Sequence, residues 1–214
     1  VLPDTLRKVS QGMLSDCLYL KVICLRDGCL VDLKKYVSDS VEILLVAEVM
    51  SGDYFIQDLP RLREIVIPDG MEKIADHLLY NCEVESVVIP ASVREIGARA
   101  FCNCRKLKEV VFQRTEAASM PPGDNSEDVR APVPSPSENS MLRVIGMEAF
   151  RGCGGLKAVE LPNGLEEIGV NAFNGSGLER ITTPPSVRTV HQGAFCQCET
   201  LRIAVLNEGL EVLG

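Results

Sequence analysis

The chain has 214 residues, of which 46% are apolar and 24% are charged, and its formal net charge at pH 7 is -8. This composition is that of a folded globular protein, and the negative charge disfavours binding to nucleic acid or to anionic membrane surfaces. No apolar run reaches the roughly 18 residues that a membrane-spanning helix needs, which predicts no membrane insertion.

In the first 61 residues the apolar positions follow a repeat only loosely, and their spacing becomes regular from Leu62 onward. Residues 2–17 fit the later part of one repeat, and the segments that start at Leu20 and Val41 fit two further repeats loosely. The chain begins with valine, and its first residues lack the basic start and apolar stretch of a secretion signal. We therefore expect a repeat array that is truncated at both ends.

From Leu62 onward the chain repeats the pattern L-x-x-V-x-I-P-x-x-V-x-x-I-G-x-x-A-F-x-x-C, with one interruption. Copies advance by 22 or 23 residues and begin at Leu62, Val84, Leu107, Leu156, Leu178 and Leu201. A unit of this length cannot cover its own apolar side chains, so each copy is stable only against its neighbours. Together with the N-terminal segments, the copies predict a single solenoid of about nine turns over residues 1–214.

Each part of the repeat predicts a local structure. The β-branched stretch L-x-x-V-x-I, closed by proline, predicts a short strand that pairs in parallel with the same strand of the next turn. The V-x-x-I pair points inward again after a Pro-containing corner, and Ala-Phe fills the interior from a short helical or irregular segment. The fold class is therefore an α/β repeat solenoid, mostly β and loop, with one parallel β-sheet and short helical or irregular segments on the other side.

An insertion at 114–141 interrupts one turn. Without its 26 extra residues, the separation of Ile96 and Ile145 falls from 49 to 23 residues, which restores the period. The insertion contains five prolines and five acidic residues against two basic ones, and this predicts a disordered loop. The segment 133–136, Val-Pro-Ser-Pro, fits a phosphorylation or docking site, although a tolerated low-complexity excursion is the favoured interpretation.

The repeated dipeptides give the chain a family resemblance. They are Ile-Pro at 67–68 and 89–90, Ile-Gly at 96–97, 145–146 and 168–169, and Ala-Phe at 100–101, 149–150, 172–173 and 194–195. With these dipeptides the chain resembles the leucine-rich repeats of the BspA-like, or Treponema-type, family, and it departs from that pattern between Leu18 and Leu59. The resemblance implies a non-enzymatic surface protein that binds host or matrix proteins, located at the cell surface or secreted.

Five of the nine cysteines occupy one column of the repeat, in which Ser176 takes the place of a sixth. They are Cys17, Cys82, Cys104, Cys153 and Cys198. Because serine keeps the size but not the thiol chemistry, a buried structural column is favoured over disulfides and over a metal or redox site. An odd number of cysteines fits a reducing compartment, so a cytoplasmic location is as compatible with the residues as the cell surface.

Catalytic chemistry is not indicated by any motif. The chain has no phosphate-cradling loop, no nucleophile elbow and no H-E-x-x-H, and its two histidines, His77 and His191, fall at different repeat positions with no shared carboxylate or cysteine partner. We expect both histidines to be solvated or at an edge. No catalytic, cofactor-binding or metal-binding residue is predicted, and no cofactor.

The outward positions of the predicted strands form a face of mixed charge, which is typical of a protein-binding surface. The candidate partner-binding residues are Arg63, Glu64, Glu85, Lys108, Glu109, Lys157, Glu179, Arg180 and Arg202. The favoured function is a protein–protein interaction module that binds partner proteins through this face, as the BspA-like resemblance implies. The alternative is an intracellular scaffold of a eukaryotic microbe, with the proline-rich loop as a regulated docking segment.

Overall fold

The computed structural model describes residues 62–67, 69–113 and 140–214, together with the backbone of strands at 22–25 and 43–46. Cys17, the rest of the irregular region between Leu18 and Leu59, and the insertion as far as residue 139 lie outside this part of the chain. The strands are β1 (Val22–Leu25), β2 (Ile43–Val46), β3 (Glu64–Val66), β4 (Lys73–Ile74), β5 (Ser86–Ile89), β6 (Glu95–Ile96), β7 (Glu109–Phe112), β8 (Val144–Ile145), β9 (Glu167–Ile168), β10 (Arg180–Thr182), β11 (Thr189–Val190), β12 (Ile203–Val205) and β13 (Val212–Leu213).

The L-x-x-V-x-I stretches form parallel strands, as predicted. Strands β1, β2 and β3 pair in that order, and their register aligns Ile23 with Leu44 and Leu44 with Ile65. The two weak N-terminal copies are therefore confirmed in strand position. In β5 the side chains alternate between exposed and buried, because one face packs on the core and the other meets solvent.

These first strands do not form one unbroken sheet. They make three separate pairings, β1-β2-β3, β5-β7 and β10-β12, and residues 156–161 form no strand. The unbroken sheet lies in the V-x-x-I column instead, where β4, β6, β8, β9, β11 and β13 pair in parallel through all the described turns. Two-residue strands are too short to give a sequence signal of their own, and this second sheet was not predicted.

The insertion leaves the period of the stack intact. Ile96 of β6 pairs with Ile145 of β8, so the turns on either side of the insertion are direct neighbours. The Gln113 N–H donates to the Ile89 carbonyl before the insertion, and the Met141 N–H donates to the Ala91 carbonyl after it. The inference that residues were added to one turn is therefore confirmed, and the turn resumes at Ser140, which is buried.

Tandem β-turns, rather than helices, form the third side of the coil in the described residues. In one turn the N–H groups of Leu78, Tyr80 and Cys82 each donate to the carbonyl three residues earlier. The alternate N–H groups donate to the next turn, as Asn81 does to the Cys102 carbonyl at 2.9 Å. This pattern needs residues in the left-handed backbone conformation four positions apart in the chain, and Asn81, with a φ of 60°, is one of them. Asparagine and glycine recur at that position because they tolerate the conformation.

The core is a set of vertical files of identical or similar side chains. Phe101, Phe150 and Phe173 are 0% exposed, and each ring stacks on the next. Ring centroids are 5.1 Å apart for Phe101 and Phe150, 5.2 Å for Phe150 and Phe173, and 5.7 Å for Phe173 and Phe195. Burial of each ring contributes about 1.5–3 kcal/mol. The Ala-Phe dipeptides fill the interior, as predicted, and the four phenylalanines are aligned from turn to turn. This alignment determines which residues of each turn point outward.

Candidate protein-binding face

We call the outward side of the first strands, including residues 156–161, the binding face. The strands determine which side chains lie on the binding face. Alternate residues of L-x-x-V-x-I pack in the core, so the residues between them must point outward. Of the nine predicted partner-binding residues, seven are exposed on this face, namely Arg63, Lys108, Glu109, Lys157, Glu179, Arg180 and Arg202. Glu85 is half-buried, and Glu64 lies in β3.

Two ion pairs join predicted residues across adjacent turns of the binding face. Lys108 Nζ lies 2.8 Å from Glu85 Oε2, and Lys157 Nζ lies 3.6 Å from Glu179 Oε1. The hydrogen bond and charge of Lys108 hold the pKa of Glu85 below its usual value. Exposed pairs of this kind contribute little to stability, so they organise the charge of the face more than they hold the fold together.

Arg63 and Arg180 differ from these paired residues. The ion pairs found in the described part of the chain include neither of them. The charge of Arg63 nevertheless acts on Glu85, whose pKa is lowered mainly by Lys108 and further by Arg63.

A stripe of exposed valines lies among the candidate residues; the sequence placed these valines on the outward face but did not include them in the candidate set. Val66, Val88 and Val111 occupy the same outward position in three successive turns and are 42%, 42% and 41% exposed. Val88 and Val111 are paired in register within the β5-β7 sheet. The signal was available, because valine at the last outward position of L-x-x-V-x-I is apolar where a solvated face needs a polar residue.

Two grooves open on the binding face where the first strands separate. Groove 1, of about 520 Å³, lies between β3 and β5 and is lined by Arg63, Ile65, Ile67, Glu85 and Val88 among others. Groove 2, of about 560 Å³, lies between residues 158–163 and 180–185 and has Val159, Leu161 and Ile181 at its base and Arg180 at its side. One backbone hydrogen bond joins the two turns just before they separate at each groove. The Glu85 N–H donates to the Arg63 carbonyl at groove 1, and the Glu179 N–H donates to the Lys157 carbonyl at groove 2.

The cysteine column is structural in the described turns. Cys104 Sγ donates to the Leu79 carbonyl at 3.0 Å, Cys153 Sγ to the Phe101 carbonyl at 3.1 Å, and Cys198 Sγ to the Phe173 carbonyl at 3.1 Å. None of the cysteines in the described turns forms a disulfide, and burial raises the pKa of the Cys104 and Cys153 thiols well above its usual range. A thiol so buried and protonated is neither a nucleophile nor a metal ligand at neutral pH.

His191 is partly exposed, and its Nε2 lies 2.8 Å from Glu167 Oε1 on the preceding turn. The sequence did not predict this contact. The two residues are 24 positions apart in the chain, and only the stacking of turns brings them together. His77 is half-buried at the left-handed position of its turn.

Comparison with known proteins places the chain in a family. A sequence profile described as the BspA type Leucine rich repeat region matches residues 51–119 and 134–214 in six copies, which is most of the chain. The chain belongs to the BspA-type leucine-rich repeat family.

Solved structures give the same fold. The chain is similar to the leucine-rich repeat protein TpLRR of T. pallidum, with a TM-score of 0.51 and 22% identity over 86% of this chain and 62% of that one. It is also similar to a leucine-rich cell surface protein of Faecalibacterium prausnitzii, with a TM-score of 0.48 and 19% identity over 90% of this chain and 61% of that one. The chain thus spans less than two thirds of either relative. None of the curated protein sequences compared with the chain matches it.

The described residues contain no helix that is long and apolar enough to cross a bilayer.

Proposed function

We propose that the chain binds partner proteins through the binding face, in the manner of the BspA-like surface adhesion proteins. The observation that carries the proposal is the valine stripe, which exposes apolar side chains between charged residues on three successive turns. Protein-binding surfaces combine an apolar centre with a polar rim in this way, and Arg63, Lys108 and Glu109 supply exposed charges on the same turns.

Matched substitutions test this proposal. The double variant V88D/V111D places two carboxylates in the valine stripe, and V212D is its control, since Val212 lies in β13 of the second sheet and is 49% exposed. The immobilised wild-type chain and both variants are incubated with purified extracellular-matrix proteins, and bound protein is measured. We expect V88D/V111D to lose binding by about tenfold or more, because two buried charges are left uncompensated, while V212D binds as wild type. Equal binding by all three would contradict the proposal.

A scaffold in a reducing compartment is the second candidate, and the exposed thiol of one cysteine favours it. Cys196 is exposed and unpaired, whereas an oxidising compartment would place such a thiol at risk of cross-linking. A second arm of the same experiment uses soluble cell extract instead of matrix proteins. Face-dependent binding only in that arm would favour the scaffold, and face-dependent binding only to matrix proteins would favour adhesion.

A further inference from the structure

The chain contains two Asn-Gly pairs, at 163–164 and 174–175. This dipeptide loses the asparagine amide spontaneously more readily than others, because glycine has no side chain to keep its main-chain nitrogen away from the asparagine side chain. Both pairs lie in turns, so their local structure alone does not distinguish them. The structure, however, places them in different surroundings.

Asn163 and Gly164 form a corner of the coil that few hydrogen bonds hold. The Asn163 side chain is exposed, and Gly164 is half-buried. The Leu165 N–H donates to the Pro162 carbonyl at 3.0 Å, and Arg143 Nη1 donates to the Gly164 carbonyl at 2.7 Å. None of the hydrogen bonds found in the described residues uses the Gly164 N–H as a donor. The nitrogen that would react with Asn163 is therefore not held by a neighbouring coil.

Asn174 and Gly175 are held by the coils on both sides. The Gly175 N–H donates to the Cys196 carbonyl of the next coil at 2.9 Å, and the Gly152 N–H of the preceding coil donates to the Asn174 carbonyl at 2.8 Å. The Asn174 side chain is tied as well, since its Nδ2 donates to Asn171 Oδ1 at 3.4 Å. The nitrogen of Gly175 can react only if this turn separates from the next coil.

We propose that Asn163 is a site of spontaneous deamidation and that the fold protects Asn174 from the same reaction. The Gly164 main-chain nitrogen attacks Asn163 Cγ. The new bond joins that nitrogen to Cγ, the bond from Cγ to Nδ2 breaks, and Nδ2 leaves as ammonia with the proton that the Gly164 nitrogen loses. Water then opens the resulting succinimide ring. Hydrolysis at Cγ gives aspartate, and hydrolysis at the main-chain carbonyl gives isoaspartate.

The reaction changes the charge of the binding face. Asn163 lines groove 2 together with Glu160 and Arg180, so either product adds a carboxylate to this groove. Isoaspartate also adds a methylene group to the main chain at the corner that leads into β9. The assignment of the site depends only on the surroundings of the two Asn-Gly pairs and not on the proposed function.

Peptide mapping of the whole chain tests the proposal. The folded chain is incubated at mildly alkaline pH and then digested with a glutamate-specific protease, which places the two pairs on separate peptides, 161–166 and 168–179. Mass spectrometry measures the fraction of each peptide that has exchanged an amide for a carboxyl group, relative to an unincubated sample. We expect peptide 161–166 to deamidate about tenfold faster or more, because release of the Gly175 nitrogen requires the loss of hydrogen bonds to neighbouring coils.

The chain unfolded in urea is the matched control, because no coil protects either pair there. The two rates should then become similar, and a difference that persists in urea would assign it to the neighbouring sequence instead of the fold. N163Q should remove the reaction from peptide 161–166, since glutamine must close a larger ring, and should leave peptide 168–179 unchanged.

Three results would overturn the proposal. They are equal rates for the two peptides in the folded chain, a faster reaction in peptide 168–179, and a reaction in peptide 161–166 that occurs only after unfolding. The last result would mean that the corner is protected as well as the tandem turns. None of these results bears on partner binding, so failure of this proposal is distinguishable from failure of the proposed function.

Discussion

The two outer sheets of the coil are built from the same repeat but differ in continuity. In the second sheet six short strands pair without a break, and its outward side chains form ion pairs from turn to turn, among them Lys73 with Glu95 at 2.7 Å and Arg188 with Glu211 at 2.6 Å. The first strands pair in three separate groups and expose valines. The second sheet thus closes one wall of the molecule, and the binding face remains open.

This difference shows how one repeat can support the stack on one side and leave an open surface on another. The continuous sheet and the tandem turns fix the distance between successive coils through their hydrogen bonds. The first strands can therefore separate locally without unfolding the stack. Grooves and exposed apolar side chains are then tolerated on the binding face, because stability is supplied elsewhere.

The largest effect should come from a residue that supports both sheets. Phe150 lies between Phe101 and Phe173 in the phenylalanine file, and all three are 0% exposed. We expect F150A to lower the free energy of unfolding by about 3–5 kcal/mol, because it leaves a large cavity between turns that cannot collapse. Urea unfolding followed by circular dichroism measures this loss. A loss below about 1 kcal/mol would mean that the file does not couple the turns.

A matched pair of isoleucines compares the two sheets directly. Ile168 is 0% exposed in β9 of the second sheet, and Ile181 is 1% exposed in β10, at the base of groove 2. Substitution of a buried isoleucine by alanine costs about 2–5 kcal/mol, and the cost is smaller where neighbours can move into the space. We expect I168A to be the more destabilising of the two in urea unfolding. The reverse order would mean that the first strands, and not the second sheet, hold the stack.

The sequence was sufficient for features that depend only on the period. The strand positions of the weak N-terminal copies, the phenylalanine file and the site of the insertion all follow from counting residues, because stacked coils put equivalent positions above one another. The β-turns of the third side could also have been predicted from the sequence. Asn81 and Asn103 stand two residues after the Phe column, where a left-handed conformation occurs.

Features that depend on how far neighbouring coils separate could not be predicted. Residues 156–161 fit the strand pattern, yet they form no strand, because a strand also needs a partner at hydrogen-bonding distance. The same limit applies to the candidate site. Counting identified Lys157 and Arg180 as outward residues, but only the structure shows that Lys157 is paired and that Arg180 borders a groove.

A clamp on the turn side gives an effect of intermediate size. Glu148 is 8% exposed and accepts hydrogen bonds from Arg99 Nε at 2.6 Å and from Arg151 at 3.1 Å. Burial alone raises the pKa of this carboxyl, but the hydrogen bonds and charges of the two arginines outweigh it and hold the pKa below its usual value. We expect E148Q to lower the free energy of unfolding by about 1–3 kcal/mol, as loss of a charged hydrogen-bond acceptor does.

The acid dependence of this clamp provides its control. Because the pKa of Glu148 is lower in the folded than in the unfolded chain, its stabilisation is present above the unfolded value and is lost as the pH falls through the folded one. The difference in unfolding free energy between wild type and E148Q should therefore shrink in acid. Binding at the face should stay unchanged at neutral pH, since the clamp lies on neither sheet. A difference that does not vary with pH would assign the effect of E148Q to packing instead.

The smallest effects on the free energy of unfolding should come from the exposed ion pairs, and these pairs distinguish residues that affect stability from residues that affect partner binding. The side chains of Lys157 and Glu179 on the binding face are both 57% exposed, and those of Arg188 and Glu211 on the second sheet are 66% and 62% exposed. We expect K157A and R188A each to change the free energy of unfolding by about 0–1 kcal/mol, because solvent screens such pairs. Their effects on partner binding should differ, since only Lys157 lies on the face that we propose binds a partner. Calorimetric unfolding and a binding assay on the same two variants measure both quantities. Equal loss of binding in K157A and R188A would mean that the second sheet also takes part in partner binding. The two sheets would then differ only in their contribution to stability.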